Sequence, residues 1–276
     1  MNGPGQYAGI APWRQTAWDL RAAGNFIGGG GGSGLLMLAA LLNAPALLAA
    51  GLLLTAAGLF SVFLEIGRPL RALNVLRGAR TSWMTREAML AGVIFPLGLA
   101  AFLWPLLMPW LGPLAAAYLF CQLSMLRATK GVPAWREPLV GPLIVATAVA
   151  EGTGLALLIL PAVPWWLPGL LLAALAARAV LWLLCHRRYQ GGGLPRQGLA
   201  PLGRFLLPFL LAGHALPALL IFVPGGLWPA GLAAAAGGWA MKMFLVTRIA
   251  FNQGFAIQAT PSRGRGPTGP GARPGW

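Results

Sequence analysis

Two groups of residues in this 276-residue chain are equipped to handle protons, and both stand in unusual company. One group closes the ends of EIGRPLRALNVLRGARTSWMTRE, residues 65 to 87. There Glu65 and Glu87 bracket Arg68, Arg71, Arg77, Arg80 and Arg86. The other group, Glu151, Arg178, His214 and Lys242, interrupts stretches that are otherwise apolar. A carboxylate beside arginines, near a water interface, can accept a proton from a bound hydroxyl and hand it to solvent. Partly buried, Glu65 and Glu87 would make an acceptor pair suited to the two protons of a hydroquinone. A structural reading competes with this one. Carboxylates are also favoured at a helix N-terminus by the dipole.

The apolar stretches that must position these groups are too long and too frequent for a soluble protein. The chain is 58% hydrophobic and 9% charged, whereas soluble domains carry roughly a quarter of their residues as charges. Apolar runs of about 20 residues recur, the length that crosses ~30 Å of hydrocarbon as a helix. Backbone groups in lipid must be satisfied within the segment, so an all-α polytopic membrane protein is expected. Eight spans are predicted, near 22–42, 46–66, 86–108, 111–127, 138–160, 165–185, 203–223 and 228–248. Trp104, Trp110, Trp165, Trp166 and Trp228 fall near span ends, where an interfacial aromatic belt would lie.

Charge placement then assigns the sides. Connections near 43–45, 109–110, 161–164 and 224–227 carry no Lys or Arg. The alternate connections hold the arginines of residues 65–87, then Arg127, Lys130 and Arg136, then Arg187, Arg188, Arg196 and Arg204. Arg14, Arg21, Arg263, Arg265 and Arg273 mark the two tails. By the positive-inside rule the basic connections and both termini are cytoplasmic, which an even span count permits. The inner, cytoplasmic membrane is the expected location. The net charge of +15 is thus a topological signal, and nucleic acid is not an expected partner. Residues 1–21 form a cytoplasmic lead-in, 22–248 the membrane domain and 249–276 a Gly-, Pro- and Arg-rich tail expected to be largely disordered. The first apolar run begins too late and too glycine-rich for a signal-peptide core.

Within the spans, charges cost at least ~2.5–3.5 kcal/mol at the hydrocarbon centre, so they face the bundle interior and find partners. Counted at ~1.5 Å per residue, Glu151 and Arg178 lie within one helical turn in depth and are expected to pair. That pair could fix helix register or form part of a proton path with His214 and Lys242. Bis-histidine haem ligation needs two histidines at one depth, and His186 at a span edge does not match His214 about ten residues in. Cys121 and Cys185 are expected to be buried thiols, since iron–sulfur clusters take four ligands. The run GGGGGSG, residues 28 to 34, contains a formal GxGxxG. Without strand–turn–helix context it reads as a close-approach surface between helices. Between spans two and three, Leu70, Leu73 and Leu76 form a stripe opposite Arg68 and Arg71, as in a short interfacial helix. Gly78 would end it, and Thr81, Ser82 or Thr85 would cap span three with Glu87 in its first turn.

The block EIGRPLRALNVLRGARTSWMTREAML resembles the signature of the DMSO reductase membrane-anchor family, within the wider polysulfide-reductase/NrfD group. Members carry a HLGxPLRAxN-like segment followed by a TSWxSRE-like segment, and the eight-span layout agrees. WDLRAAGNFIGGGGGSG and TRIAFNQGFA are similar to anchors of phenylacetyl-CoA:acceptor oxidoreductases, and sulfite-oxidising complexes use similar anchors. The resemblance implies a non-catalytic anchor subunit that exchanges electrons with menaquinone or ubiquinone and binds no haem or cluster itself. The implied partners are a ferredoxin-like four-cluster iron–sulfur subunit and a molybdopterin catalytic subunit, apart from lipid and quinone. It also implies quinone-site roles for Glu87 and Glu65, supported by Arg68 and Arg71. Glu65 stands where many members have His, which lowers the acceptor's unperturbed pKa by about two units. Two other functions remain open from the residues: a secondary or ion-translocating transporter, suggested by the midspan charges and by Pro208 and Pro217 in span seven, and a purely structural tether.

Overall fold

A computed structural model describes residues 8–10, 12–64, 78–252 and 255–257. Glu65, Arg68 and Arg71, with the Leu70, Leu73 and Leu76 stripe, lie outside the described residues, as does most of the C-terminal tail. Among the described residues, eight helical stretches are long and apolar enough to cross a membrane. The protein is an all-α, multi-pass membrane protein.

The helices are α1 (Leu20–Leu42), α2 (Pro45–Phe63), α3 (Trp83–Leu103), α4 (Leu111–Ala128), α5 (Pro133–Arg136), α6 (Val140–Ile159), α7 (Leu167–Arg188), α8 (Arg196–Leu210), α9 (Leu216–Leu220) and α10 (Leu227–Thr247). A 3-10 turn over Pro105–Trp110 leads into α4, so the fourth span starts earlier than its sequence pattern indicates. The seventh span is composite. It joins α8 to α9 through a π-helical segment, Leu211–Ala215, between the two prolines that had marked it as broken.

The termini meet at the basic end of the bundle. β1 (Ala8–Ile10) pairs antiparallel with β2 (Phe255–Ile257). Gln15 N donates to Ala250 O at 2.9 Å and Asn252 N to Trp13 O at 3.0 Å. Within the tail expected to be largely disordered, the backbone groups of residues 255–257 find ladder partners in the N-terminal segment. The connection before α6 also folds back onto the core. Trp135 is buried, stacks on Trp18 with ring centroids 4.7 Å apart, and donates its indole N–H to Leu245 O.

Helix α1 is the axis of the bundle, packing on α2, α4, α6 and α10. Its glycine run explains how four neighbours approach it. A Cβ on Gly34 would collide with Ala148 O and the backbone of Gly152, and one on Gly28 with Leu54 O and Gly58. The close-approach reading of GGGGGSG is what these contacts show. Apolar rings remain outside: Trp104, Trp110, Trp165 and Trp228 are exposed near helix ends, as an aromatic belt requires. Cys121 and Cys185 are buried free thiols.

Substituting Gly34 with Val is expected to destabilise the bundle by roughly 1–3 kcal/mol through overpacking. Gly92, whose added Cβ would meet nothing within 4 Å, should tolerate Ala with a gain of up to about 1 kcal/mol. Thermal unfolding of the two variants in one detergent checks the contrast.

Candidate functional site

Two buried polar clusters flank the glycine face of α1. The outer one is built on Glu87. Ser82 caps α3, its hydroxyl accepting from Thr85 N at 3.4 Å. Glu87 is therefore the fifth residue of α3 rather than a first-turn residue, and α3 has no acidic group in its first turn. The dipole account of this carboxylate weakens accordingly, because the effect fades beyond the first turn.

Glu87 is 3% exposed and is held by neutral amides. Asn25 Nδ2 of α1 donates to Oε1 at 3.2 Å and to Oε2 at 3.4 Å, and Gln122 Nε2 of α4 donates to Oε1 at 3.0 Å. Gln122 Nε2 also donates to Asn25 O at 2.9 Å, which ties α1 to α4 at this level. The Tyr118 hydroxyl, one turn from Gln122 on α4, is directed at the Glu87 carboxylate. Asn25 Oδ1, Gln122 Oε1 and Tyr118 OH are buried without a hydrogen-bond partner among the described residues.

The arginine expected beside this carboxylate is turned away. Arg86 donates to Ala79 O and Arg80 O and lies over the Trp83 ring at 4.1 Å. Among the described residues, no Lys or Arg forms an ion pair with Glu87. A narrow cleft lined by Trp18, Phe26, Val62, Met84 and Met125 reaches Asn25, so an apolar surface adjoins the polar cluster.

The inner cluster corrects the expected pairing of Glu151 with Arg178. Lys242 Nζ, from α10, donates to Glu151 Oε2 at 2.5 Å, both side chains being fully buried. Lys242 lies five residues before the end of α10, and its long stem carries the ammonium inward to Glu151, a reach that counting Cα depth ignores. Cβ atoms on Gly30 and Gly238 would overlap Lys242 Nζ and Glu151 Oε1, so glycines from two helices make room for the pair. Such a buried pair persists only when its geometry repays desolvation.

Arg178 instead clamps the broken seventh span. Pro217 has no N–H to offer the carbonyl four residues earlier, and Arg178 Nη2 donates to that oxygen, Gly213 O, at 2.5 Å. Arg178 Nη1 donates to Ala234 O at 3.0 Å and Nε to His214 Nε2 at 3.1 Å. Since the guanidinium can only donate and Phe209 O can only accept, His214 is the neutral tautomer with its proton on Nδ1, 3.0 Å from Phe209 O. Both imidazole nitrogens are thereby occupied.

The structure thus brings together Glu151 with Lys242 and Arg178 with His214, and it surrounds Glu87 with residues that charge-based reading passed over. Asn25, Tyr118 and Gln122 carried a usable signal: amides and a phenol within apolar runs are costly unless satisfied. No family model and no curated protein matches this sequence.

Lys242→Met leaves Glu151 as an uncompensated buried charge and should cost about 3–5 kcal/mol. Lys242→Met combined with Glu151→Met should recover most of that loss. Chemical unfolding in detergent of the two variants, beside the wild type, measures the difference.

Proposed function

We propose that this chain is the quinone-reactive membrane anchor of a molybdopterin iron–sulfur oxidoreductase complex in the cytoplasmic membrane. The observation that carries the reading is Glu87: a carboxylate buried near the basic end of the bundle, held by amides with the Tyr118 hydroxyl directed at it and with no cation paired to it among the described residues, its partner Asn25 lining a narrow apolar cleft. Its surroundings suit an oxygen-bearing ring, because Tyr118 OH can donate while Asn25 Oδ1 and Gln122 Oε1 can accept. A quinol, when bound, supplies two electrons and two protons.

The chain's own part is to hold the ring and receive protons. Glu87 Oε2, which has only the long bond from Asn25, is the more open acceptor oxygen. Asn25 and Gln122 keep the carboxylate oriented by donating to Oε1. Proton exit is short, since Glu87 lies about one helical turn inside the start of α3. Glu65, Arg68 and Arg71, to which the family resemblance gives roles at the same site, lie outside the described residues. Electrons must leave through a partner, and the basic loops suit an acidic patch on a ferredoxin-like subunit docked on the same face. The molybdopterin subunit would act beyond it.

The broken seventh span and the midspan Glu151–Lys242 pair favour a second reading, an ion-translocating transporter. Binding separates the two. Glu87→Gln should weaken a quinone-site inhibitor at least tenfold in detergent-solubilised membranes, with the chain still assembled. Unchanged inhibitor affinity in that variant would remove Glu87 from any quinone site.

A further inference from the structure

The two buried clusters are neighbours. Asn25, Gly29 and Ser33 recur every four residues and so share one face of α1. A Cβ on Gly29 would strike Gln122 Nε2 and approach Tyr118, while one on the adjacent Gly30 would strike Lys242 Nζ. The Glu87 network therefore reaches Gly29, and the ion pair begins at Gly30. No bulky side chain of α1 stands between them.

Polar atoms without partners line this face. Asn25 Oδ1, Ser33 Oγ, Tyr118 OH and Gln122 Oε1 are buried and unpaired among the described residues, and so is Glu151 Oε1 beyond the lysine. Native interiors rarely leave such atoms unsatisfied, and water is their usual partner. Hydroxyls and amide oxygens at these positions can therefore support a short hydrogen-bonded water row.

Charge adds an independent argument. Glu87, Glu151, Arg178 and Lys242 are the fully charged types among the buried described residues. Their formal charges sum to zero, yet unevenly: the inner cluster holds two cations and one anion, and Glu87 holds the remaining negative charge. That balance holds with both carboxylates ionised; a proton taken up by Glu87 leaves one net positive charge, which the transfer inward would move to the inner cluster, so the two sites sense each other's protonation.

We propose that the Asn25–Gly29–Ser33 face is a proton relay joining Glu87 to the Lys242–Glu151 pair. An O–H bond at Glu87 breaks and its proton enters the water row. Lys242 passes an N–H proton to Glu151 Oε2 and is refilled from the row. The net product is ionised Glu87 and a protonated Glu151 beside ammonium Lys242, with no other reactant needed. Counting from the first residues of α3 and α6, Glu87 lies four residues in and Glu151 eleven, so the proton moves roughly 10 Å inward. Arg178 stays outside the relay, its donors fixed on Gly213 O, Ala234 O and His214.

The groups facing each end are few. Glu87 meets Asn25 from α1 and Tyr118, Cys121 and Gln122 from α4, with Arg86 directed away on α3. Glu151 meets Lys242 from α10 and Arg178 from α7. The relay shares Glu87 with the quinone reading but is tested without quinone.

The full chain in lipid nanodiscs is titrated by infrared spectroscopy, following the carboxylic C=O band that disappears in Glu87→Gln. In Glu151→Gln, and separately in Lys242→Met, the proton affinity of Glu87 should change by roughly tenfold, as charges about 10 Å apart at an effective dielectric near 20 require. Tyr118→Phe and Ser33→Ala, which keep every charge, should slow at least fivefold the deuteration of Glu151, read as the rise of its deuterated carboxylic C=O band after a downward pD jump in D2O. An unchanged Glu87 titration in both charge variants, in protein that remains folded by circular dichroism, overturns the proposal. So does unchanged Glu151 deuteration in both Tyr118→Phe and Ser33→Ala. Loss of quinone-site inhibitor binding, or its absence in the wild type, bears on the quinone reading alone.

Discussion

The bundle depends on one constraint: α1 must be thin where its neighbours carry charge. Glycines at 28 to 32 and 34 let α2, α4, α6 and α10 close on its backbone. The same missing side chains leave room for Lys242 Nζ, Glu151 and the Gln122 amide within that contact surface. In a bilayer, where apolar burial gives helices little reason to associate, close backbone packing and buried polar contacts hold the bundle together. Here both act through one helix face. Ordinary glycine placement would lower helix propensity by about 1 kcal/mol per residue, so the run persists because packing more than offsets that loss.

From this axis the division of labour among the buried charges follows. Arg178 repairs a backbone defect that Pro217 creates, with each of its three nitrogens donating to a partner in or against the broken span. Lys242 and Glu151 neutralise each other in the middle of the span. Of the two buried carboxylates among the described residues, Glu87 is the one stabilised by amides, with unpaired polar atoms around it. A group so placed is poorly explained by stability and well suited to exchange a proton with a bound ligand. It also lies at the end where the two termini pair, the end that carries the basic connections and is therefore the proposed docking side.

Much of this was legible in the sequence. The eight spans, the buried thiols, the meaning of the glycine run and the burial of Glu151, Arg178, His214 and Lys242 follow from apolar length and from the cost of charge in lipid. Azimuth did not follow. Residue counting places Glu151 and Arg178 at one depth, yet helix rotation and the reach of the lysine stem give Glu151 to Lys242. The neutral partners of Glu87 were also missed, because Asn25 and Gln122 on α1 and α4 are far apart in sequence and carry no charge to attract notice. The pairing of residues 255–257 with the N-terminal segment escaped a compositional argument, since three backbone-paired residues need no distinctive side chains.

The proposed function stands or falls on whether a quinone docks at the basic end of the bundle, against the apolar surface that adjoins Asn25 and Glu87. A photoreactive quinone analogue, activated in membranes containing the full chain and mapped by mass spectrometry, tests it most directly. The account predicts labelling of residues around Asn25, Met84 and Glu87, suppressed by excess unlabelled quinone. Competable labelling confined to the opposite end of the bundle, near Trp104, Trp165 or Trp228, would contradict it.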